Sequence, residues 1–111
     1  MERSKTTVSL RIFVGEADRS QGQPLYEAIV KRAREAGLAG ATVLHGVIGF
    51  GKAGAMHTAR MLRLSEDLPV VIEIVDERDR IESFLPEIDG LLTNGLVTIQ
   101  ETEVVLYRHK R

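Results

Sequence analysis

Cysteine is absent from the 111 residues of this chain. Its absence excludes disulfide bonds, metal sites built from thiolates and a cysteine nucleophile, and it is compatible with a reducing cytoplasm. The chain also lacks an excess of one charge, because 15 Lys and Arg residues stand against 16 Asp and Glu residues. Proteins that bind nucleic acid usually carry a basic excess that neutralises phosphates. Nucleic acid is therefore not an expected partner.

Long apolar runs are missing as well. The most apolar stretches, such as residues 70–74, are interrupted by a charge within a few residues, whereas a helix that spans a bilayer needs about 20 apolar residues. Residues 1–5 lead into a strand pattern and not into the apolar core of a signal peptide. We therefore expect a soluble, cytoplasmic protein. Its length predicts a single domain at residues 7–108, between a flexible N-terminus at 1–6 and a short tail at 109–111.

The first half of the chain has the pattern of a strand, a helix and a second strand. Apolar residues alternate with polar ones over residues 7–14, which is the period of a strand. Pro24 suits the first turn of a helix and Gly37 suits the left-handed residue that follows one, so a helix is expected between them. A second strand is predicted over residues 41–48, and it leads into a glycine-rich segment.

The second half repeats this order. A third strand is predicted over residues 70–75, and Asp76 is predicted to cap the N-terminus of the following helix. Pro86, inside that helix, should bend it or end it nearby. The last strand is expected over residues 96–107, with a bulge or a break because its apolar face changes along its length. The second helix should bury a stripe formed by Ile81, Phe84, Leu85, Ile88 and Leu92.

The predicted order is β-α-β-β-α-β, which is the ferredoxin-like split motif. This two-layer α+β sandwich places both helices on one face of a four-stranded sheet and leaves the other face bare. The strands nevertheless carry apolar residues on both faces, since Val43 and Val47 alternate with Leu44 and Ile48. A bare apolar face is more than a lone soluble domain normally exposes, so we expect copies of the chain to associate through it. The alternative is that these are scattered surface residues, which are common.

The glycine-rich segment at residues 46–54 matches two nucleotide-binding motifs in part. It fits G-x-x-x-x-G-K, the start of a P-loop, and G-x-G-x-x-G, the dinucleotide fingerprint. Ala53 stands where a P-loop needs Ser or Thr to hold Mg²⁺, and the dinucleotide motif belongs to a larger parallel sheet. Neither motif is therefore predicted literally. The glycines either let a ligand approach the backbone amides or simply allow a sharp exit from the second strand.

Four basic or titratable residues follow these glycines, namely Lys52, His57, Arg60 and Arg63, and no acidic residue occurs between positions 46 and 65. A cationic loop of this kind suits an anionic ligand or an acidic partner surface, with His57, Arg60 and Arg63 as the residues that would face the partner. An ordinary solvated basic loop is the alternative.

Neither a metal site nor an enzyme activity is predicted. His45, His57 and His109 are far apart in the sequence and lack the spacing of metal ligands. His45 is expected to be a packed or hydrogen-bonded residue of a strand. No nucleophile with an acid–base partner can be named.

Five blocks of sequence carry a resemblance to a known family. They are LRIFVGE at 10–16, GLAGATV at 37–43, GVIGFG at 46–51, LSEDLPVV at 64–71 and IVD at 74–76. Together they resemble the PII-like family catalogued as domain of unknown function 190, and the similarity extends over nearly the whole chain. The resemblance implies a ferredoxin-like trimer related in fold to the PII nitrogen regulators and to the CutA proteins.

In PII proteins a long loop between the second and third strands, the T-loop, docks on a target transporter or enzyme. Adenine nucleotides bind between subunits at the base of that loop and set its shape. In this chain Gly49, Phe50 and Gly51 match the Gly-Phe-Gly that opens the T-loop, and Lys52 follows where PII proteins have a basic residue. The resemblance therefore implies that these residues bind a ligand and that residues 49–68 form the equivalent loop.

The chain departs from the PII pattern elsewhere. Gly90 and Gly95 stand near the glycine-rich turn with which PII proteins grip phosphate, but the lysine of that turn is missing. Arg108 follows the last strand near the place where basic PII residues meet phosphate, so it joins these two glycines as a candidate ligand residue. Tyr26 and Tyr107 lie outside the loop, and the modification of a loop tyrosine is therefore not expected.

The resemblance predicts a trimeric regulatory protein and not an enzyme. It would bind a small anionic ligand, such as ATP, ADP or AMP, in clefts between subunits and act on a membrane transporter or an enzyme through the loop. Family members are often encoded beside a fluoride-exporter-type channel, so a ligand-independent interaction module for such a channel is one alternative. A CutA-like metal-binding trimer is another, against which the lack of cysteine and of clustered histidines argues.

Overall fold

The structure is a computed structural model that describes residues 6–50, 57–58 and 67–110. The elements follow one another as β1 (Thr7–Gly15), β2 (Arg19–Ser20), β3 (Gln23–Pro24), α1 (Leu25–Glu35), β4 (Thr42–His45), β5 (Ile48–Gly49), β6 (His57–Thr58), β7 (Pro69–Glu77), α2 (Arg78–Leu91) and β8 (Leu96–Glu101).

Four of the strands form one antiparallel sheet in the order β4-β7-β1-β8. The two central strands belong to different halves of the chain, because β1-α1-β4 is the first half and β7-α2-β8 is the second. This is the arrangement of the ferredoxin-like motif, and the predicted α+β fold is confirmed. The strands β2 and β3 form a separate ribbon, and so do β5 and β6.

The core lies between this sheet and the two helices. Alternate residues of β1 and β7 point toward the helices and are buried. Burial of one large aliphatic side chain contributes about 1.5–3 kcal/mol, so this layer is the main source of stability. The core consists of Val8, Leu10, Ile12, Val14, Leu25, Ile29, Ala33, Val70, Ile72, Ile74, Ile81, Phe84 and Ile88.

The helices agree with the sequence pattern. Helix α1 begins after Pro24, and the left-handed Gly37, with φ +79°, follows its C-terminus as predicted. In α2 the predicted stripe is confirmed, with Leu85 and Leu92 partly buried against the core. Pro86 does not end α2, which continues to Leu91. Among the described residues, no helix is both long enough and apolar enough to cross a bilayer.

The second strand is split, which the sequence did not predict. Strand β4 ends at His45, and β5 pairs with β6 instead of the main sheet. Gly46 still donates its N–H to the Pro69 carbonyl at 2.7 Å. Pro69 has no N–H with which to extend the ladder. The pairing between the two strands therefore stops here, and the chain leaves the sheet.

The prediction that Asp76 caps α2 is wrong. Strand β7 continues through Glu77, so Asp76 is a strand residue that pairs with Val8. The N-cap residue is Glu77, and its side chain makes no capping bond. Asp76 instead accepts a hydrogen bond from the Ala39 N–H at 2.9 Å, so its carboxylate binds the segment between α1 and β4.

The last strand is shorter than predicted. Strand β8 ends at Glu101, and residues 102–110 contain an isolated bridge at Val104 but no further strand. Thr102 donates its N–H to the Thr7 carbonyl at 3.1 Å, which is the last contact of the ladder. The strand therefore breaks where the apolar pattern changes.

The sheet face opposite the helices has an apolar row and a polar row. The strand register aligns Leu44, Val71, Phe13 and Leu96 across all four strands. Leu44 and Leu96 are 53% and 56% exposed. The neighbouring row is polar and is centred on an ion pair between Arg11 Nε and Glu73 Oε2 at 2.9 Å. This surface, which we call the open face, consists of Phe13, Leu44, Val71 and Leu96 in its apolar row and Arg11, Thr42, Glu73 and Thr98 in its polar row.

Candidate functional site

The candidate site lies at one end of the sheet. At this end, which we call the loop end, Gly15 pairs with Pro69, and Leu96 pairs with Phe13 two residues before Gly15. At the opposite end, the tail end, Thr7 pairs with Glu77. The two ends are separated by the nine residues of β1, which corresponds to about 27 Å at the rise of a strand.

The loop that carries the predicted ligand residues starts as a β-ribbon. Ile48 pairs with Thr58, and Gly49 pairs with His57. The backbone of a predicted ligand residue therefore lies beside that of a predicted partner residue. Of the other predicted loop residues, Gly51, Lys52, Arg60 and Arg63 lie outside the described residues.

Gly49 and Phe50 differ in what they contact. A Cβ atom at position 49 would lie 2.8 Å from Pro69 Cγ, so close packing against the proline ring already requires a glycine there. Phe50, in contrast, exposes 71% of its surface at the base of the loop. Core packing therefore does not explain an aromatic residue at position 50, and its ring is available to a ligand or a partner.

Gly95 and Gly90 occupy different environments. Gly95 lies in the turn before β8 with φ +146°, and a Cβ atom there would lie 2.8 Å from the Phe13 carbonyl oxygen. It therefore belongs to the loop end. Gly90 lies in the last turn of α2, where amides usually donate to the carbonyl four residues earlier. Of these two candidates, only Gly95 lies in the turn.

Carboxylates at the loop end were missed in the sequence analysis. Asp18 accepts a hydrogen bond from the Gly15 N–H at 2.9 Å, and Asp67 accepts one from the Ala17 N–H at 3.1 Å. The first is a local contact over three residues that the turn chemistry of Asp could have indicated. The second joins residues 50 positions apart, for which the sequence holds no signal.

His45 lies at the same end, and its side chain is 45% exposed, so it is less packed than predicted. Its ring meets the Tyr26 ring edge-on, with 5.4 Å between centroids. Its Nδ1 lies 3.9 Å from Glu16 Oε2. Within the described part of the chain, no three His, Asp or Glu side chains are placed to hold a metal ion.

Arg108 follows a segment that starts from the tail end. The chain leaves β8 at that end, where Thr102 donates its N–H to the Thr7 carbonyl, and Tyr107 lines a groove together with Thr7, Thr42 and Glu73. Gly49 and Gly95, in contrast, lie at the loop end.

Comparison with known sequences identifies the family. Residues 7–104 match the model of the family DUF190, described as Uncharacterized ACR. A UPF0166 protein of Aquifex aeolicus is 43% identical over 96 residues, which cover 86% of this chain and 90% of the relative. A UPF0166 protein of Methanocaldococcus jannaschii is 36% identical over 96 residues, which cover 86% of this chain and 88% of the relative.

Solved structures agree on the fold. CPII of Thiomonas intermedia, a nitrogen regulatory PII-like protein bound to ADP, AMP and bicarbonate, superposes with a TM-score of 0.61 at 20% identity and covers 88% of this chain and 87% of its own. A putative PII-like signaling protein of Thermus thermophilus gives 0.58 at 16% identity, over 95% and 94% of the two chains. At these identities the likeness concerns the fold. The chain thus belongs to the DUF190 family and has the fold of the PII-like proteins.

Proposed function

We propose that the protein is a trimeric PII-like regulator. It binds a small anionic ligand, such as an adenine nucleotide, in clefts between copies and acts on a target protein through residues 49–68. The observation that carries this proposal is the position of the candidate residues. Phe50 and Gly95 both lie at the loop end, beside the two opposite edge strands of the sheet, whereas Arg108 follows the strand that leaves at the tail end.

The charge of the loop end supports a cleft that is shared between copies. Glu16, Asp18 and Asp67 lie at this end, and carboxylates repel an anion. A phosphate group therefore needs cations from elsewhere. Lys52 of the same loop is one source, and Arg108 of a second copy is another.

The open face supports association. Its apolar row crosses the whole sheet, and Leu44 and Leu96 each expose more than half of their surface. The polar row favours one orientation of the contacting faces, because Arg11 and Glu73 must keep their ion pair when the contact excludes water. Packing of these faces against one another therefore favours a defined assembly, for which we propose the trimer.

A nucleotide titration tests the ligand. Purified protein is melted with increasing ATP, ADP or AMP, with and without bicarbonate, and the variants Gly51→Val and Lys52→Ala are compared with Lys31→Ala. Lys31 is a matched control because it lies on α1 and binds Gln23 Oε1. A ligand at about 100 times its Kd stabilises the folded state by about 2.7 kcal/mol, which raises the Tm by roughly 10 °C in a domain of this size.

We expect the shift in the native protein and in Lys31→Ala, and a clear loss in the two loop variants. An equal shift in all four proteins would remove Gly51 and Lys52 from the site. If no ligand shifts the Tm of the native protein, the nucleotide part of the proposal fails.

A ligand-independent interaction module is the second candidate. It is favoured by the carboxylates at the loop end and by the close contact between Gly49 and Pro69, which accounts for the glycine without a ligand. The target would be a membrane transporter, such as a fluoride-exporter-type channel, or an enzyme. Capture of that target by the full chain but not by a chain without residues 50–66, with no nucleotide effect, would support this candidate.

A further inference from the structure

The loop at residues 49–68 returns to the sheet through Asp67, Leu68 and Pro69, which we call the exit stem. Leu68 is only 5% exposed, so its side chain is buried although it precedes β7. Pro69 is the first residue of β7. The exit stem is therefore anchored at its far end, and the contacts of Asp67 and of the Leu68 backbone decide how the stem is oriented.

The turn between β1 and β2 binds the exit stem through two neighbouring amides. Glu16 donates its N–H to the Leu68 carbonyl at 2.8 Å. Ala17 donates its N–H to Asp67 Oδ1 at 3.1 Å. A turn that presents two donors in succession thus fixes both a carbonyl and a carboxylate of the stem.

Gly15 leaves free the space that the Asp67 carboxylate occupies. A Cβ atom at position 15 would overlap Asp67 Oδ1, and the φ of Gly15 is not in the left-handed region that favours glycine. The need for space, and not the backbone conformation, therefore explains a glycine at this position. Asp18 closes the turn, because its Oδ2 accepts the Gly15 N–H at 2.9 Å. The turn at residues 15–18 is thus shaped to receive the carboxylate.

The same turn also reaches the start of the loop. The chain leaves β4 at His45, and the following Gly46 donates its N–H to the Pro69 carbonyl at 2.7 Å. Glu16 Oε2 of the turn lies 3.9 Å from His45 Nδ1. One turn therefore contacts both the last residue of β4 and the residues before β7, which are the places where the chain leaves the sheet and returns to it.

We propose that the turn at residues 15–18 is a latch for the loop, in which Asp67 is a positioning residue that fixes the exit stem. The inference rests on the proposed action of the loop on a target and deepens it, because a loop that is presented to a partner needs a fixed base. When the Asp67 contact is lost, the exit stem opens while the core stays folded, since local segments open at a lower free-energy cost than the whole domain. A partner that binds only the closed state shifts the population toward it.

The absence of cysteine allows the latch to be measured directly. Leu68→Cys places a single thiol in the buried exit stem, and the rate at which it reacts with a thiol reagent measures how often the stem opens. The rate is compared in this reporter chain alone and with Asp67→Ala, Asp67→Asn or Gly15→Ala added. Asp76→Ala is the matched control, because Asp76 also accepts a distant backbone N–H, that of Ala39 at 2.9 Å, but lies at the tail end.

We expect the thiol to react at least about 10-fold faster with Asp67→Ala and with Gly15→Ala, which corresponds to the loss of a hydrogen bond to a charged group. Asp67→Asn should restore most of the protection, because its amide oxygen still accepts the Ala17 N–H. Asp76→Ala should leave the rate unchanged although it destabilises the fold. With Gly15→Ala and Asp67→Ala in the same chain the two effects should not add, because each change removes the same contact.

Two results would overturn the latch. An unchanged rate with Asp67→Ala would show that the carboxylate does not hold the stem, and an equal rise with Asp76→Ala would show only a loss of global stability. If the reporter chain does not fold, amide exchange of Glu16 in the cysteine-free chain decides the same question, since this amide binds the Leu68 carbonyl. Neither measurement uses a nucleotide or a target, so the latch and the proposed function can fail separately.

Discussion

Replacing Asp76 by alanine removes a carboxylate that connects three segments of the chain. Its side chain is only 8% exposed. It accepts hydrogen bonds from the Ala39 N–H at 2.9 Å and from the Glu77 N–H at 2.7 Å. Arg80 Nε of α2 lies 3.6 Å away. The carboxylate thus fixes the segment before β4 against the end of β7.

The cost of the substitution follows from these contacts. A hydrogen bond to a charged group contributes about 1.5–3 kcal/mol, whereas the ion pair with the half-exposed Arg80 contributes less than about 1 kcal/mol. The Glu77 amide is the neighbour of Asp76 in sequence, so most of the loss comes from Ala39. We expect Asp76→Ala to lower the free energy of unfolding by about 3 kcal/mol, out of a total of about 5–15 kcal/mol for a typical domain.

Urea unfolding at fixed protein concentration measures this loss, because the stability of an assembling protein depends on its concentration. Asp76→Asn should lose less than the alanine variant, since an amide oxygen still accepts the Ala39 bond. Asp89→Asn, an exposed carboxylate on the same helix as Arg80, is the control and should change stability by no more than about 0.5 kcal/mol. If Asp76→Ala is as stable as this control, the carboxylate does not hold the segment and the reasoning is refuted.

Three further predictions concern single contacts. Gly95→Ala should destabilise the fold by about 2 kcal/mol, because Gly95 has a positive φ and lies close to the Phe13 oxygen. Gly90 faces open space in a helix, so Gly90→Ala should stabilise the fold by about 0.5–1 kcal/mol. Equal effects of the two variants in thermal melts would contradict both assignments. Gly49→Ala should destabilise the fold by about 1–3 kcal/mol, because the added methyl group contacts Pro69. Pro69→Ala in the same chain should recover part of this loss. If the stability changes of the two single variants simply add in the double variant, the contact is contradicted. Leu96→Glu places a charge in the apolar row of the open face and should give a folded monomer by light scattering. The control Glu103→Gln should keep the native mass. An unchanged mass for Leu96→Glu would exclude this row from the assembly.

The sequence predicts those parts of the fold that depend on local periodicity. The alternation on β1 and the stripe of α2 identify the core correctly, because each pattern follows from the geometry of a single element. The split between β4 and β5 depends on Pro69, which is far away in sequence. Asp76 was misassigned because an acidic residue between a strand and a helix has the same local pattern whether it caps the helix or binds a distant amide.

Less of the candidate site than of the fold could be predicted from the sequence, because some contacts of the site join residues that are far apart in the chain. Phe50 and Gly95 come from motif positions, and the structure places both at the loop end. Asp67 at that end depends on a contact with Ala17, 50 residues away, which no pattern in the sequence indicates. The end of the sheet from which the segment to Arg108 starts also depends on the direction of β8, which becomes clear only once the strand order is known.

In the proposed assembly, a ligand that contacts the loop end of one copy and Arg108 of the next binds only to the assembled protein. By mass action such a ligand favours assembly, and assembly in turn favours binding of the ligand by the same factor. The loop starts as a ribbon at the same place, so in this proposal the ligand, the contact between copies and the partner-binding loop converge on one end of the sheet. A signal carried by the ligand can therefore reach the loop through the neighbouring residues Gly49 and Phe50, without a change in the fold of the domain.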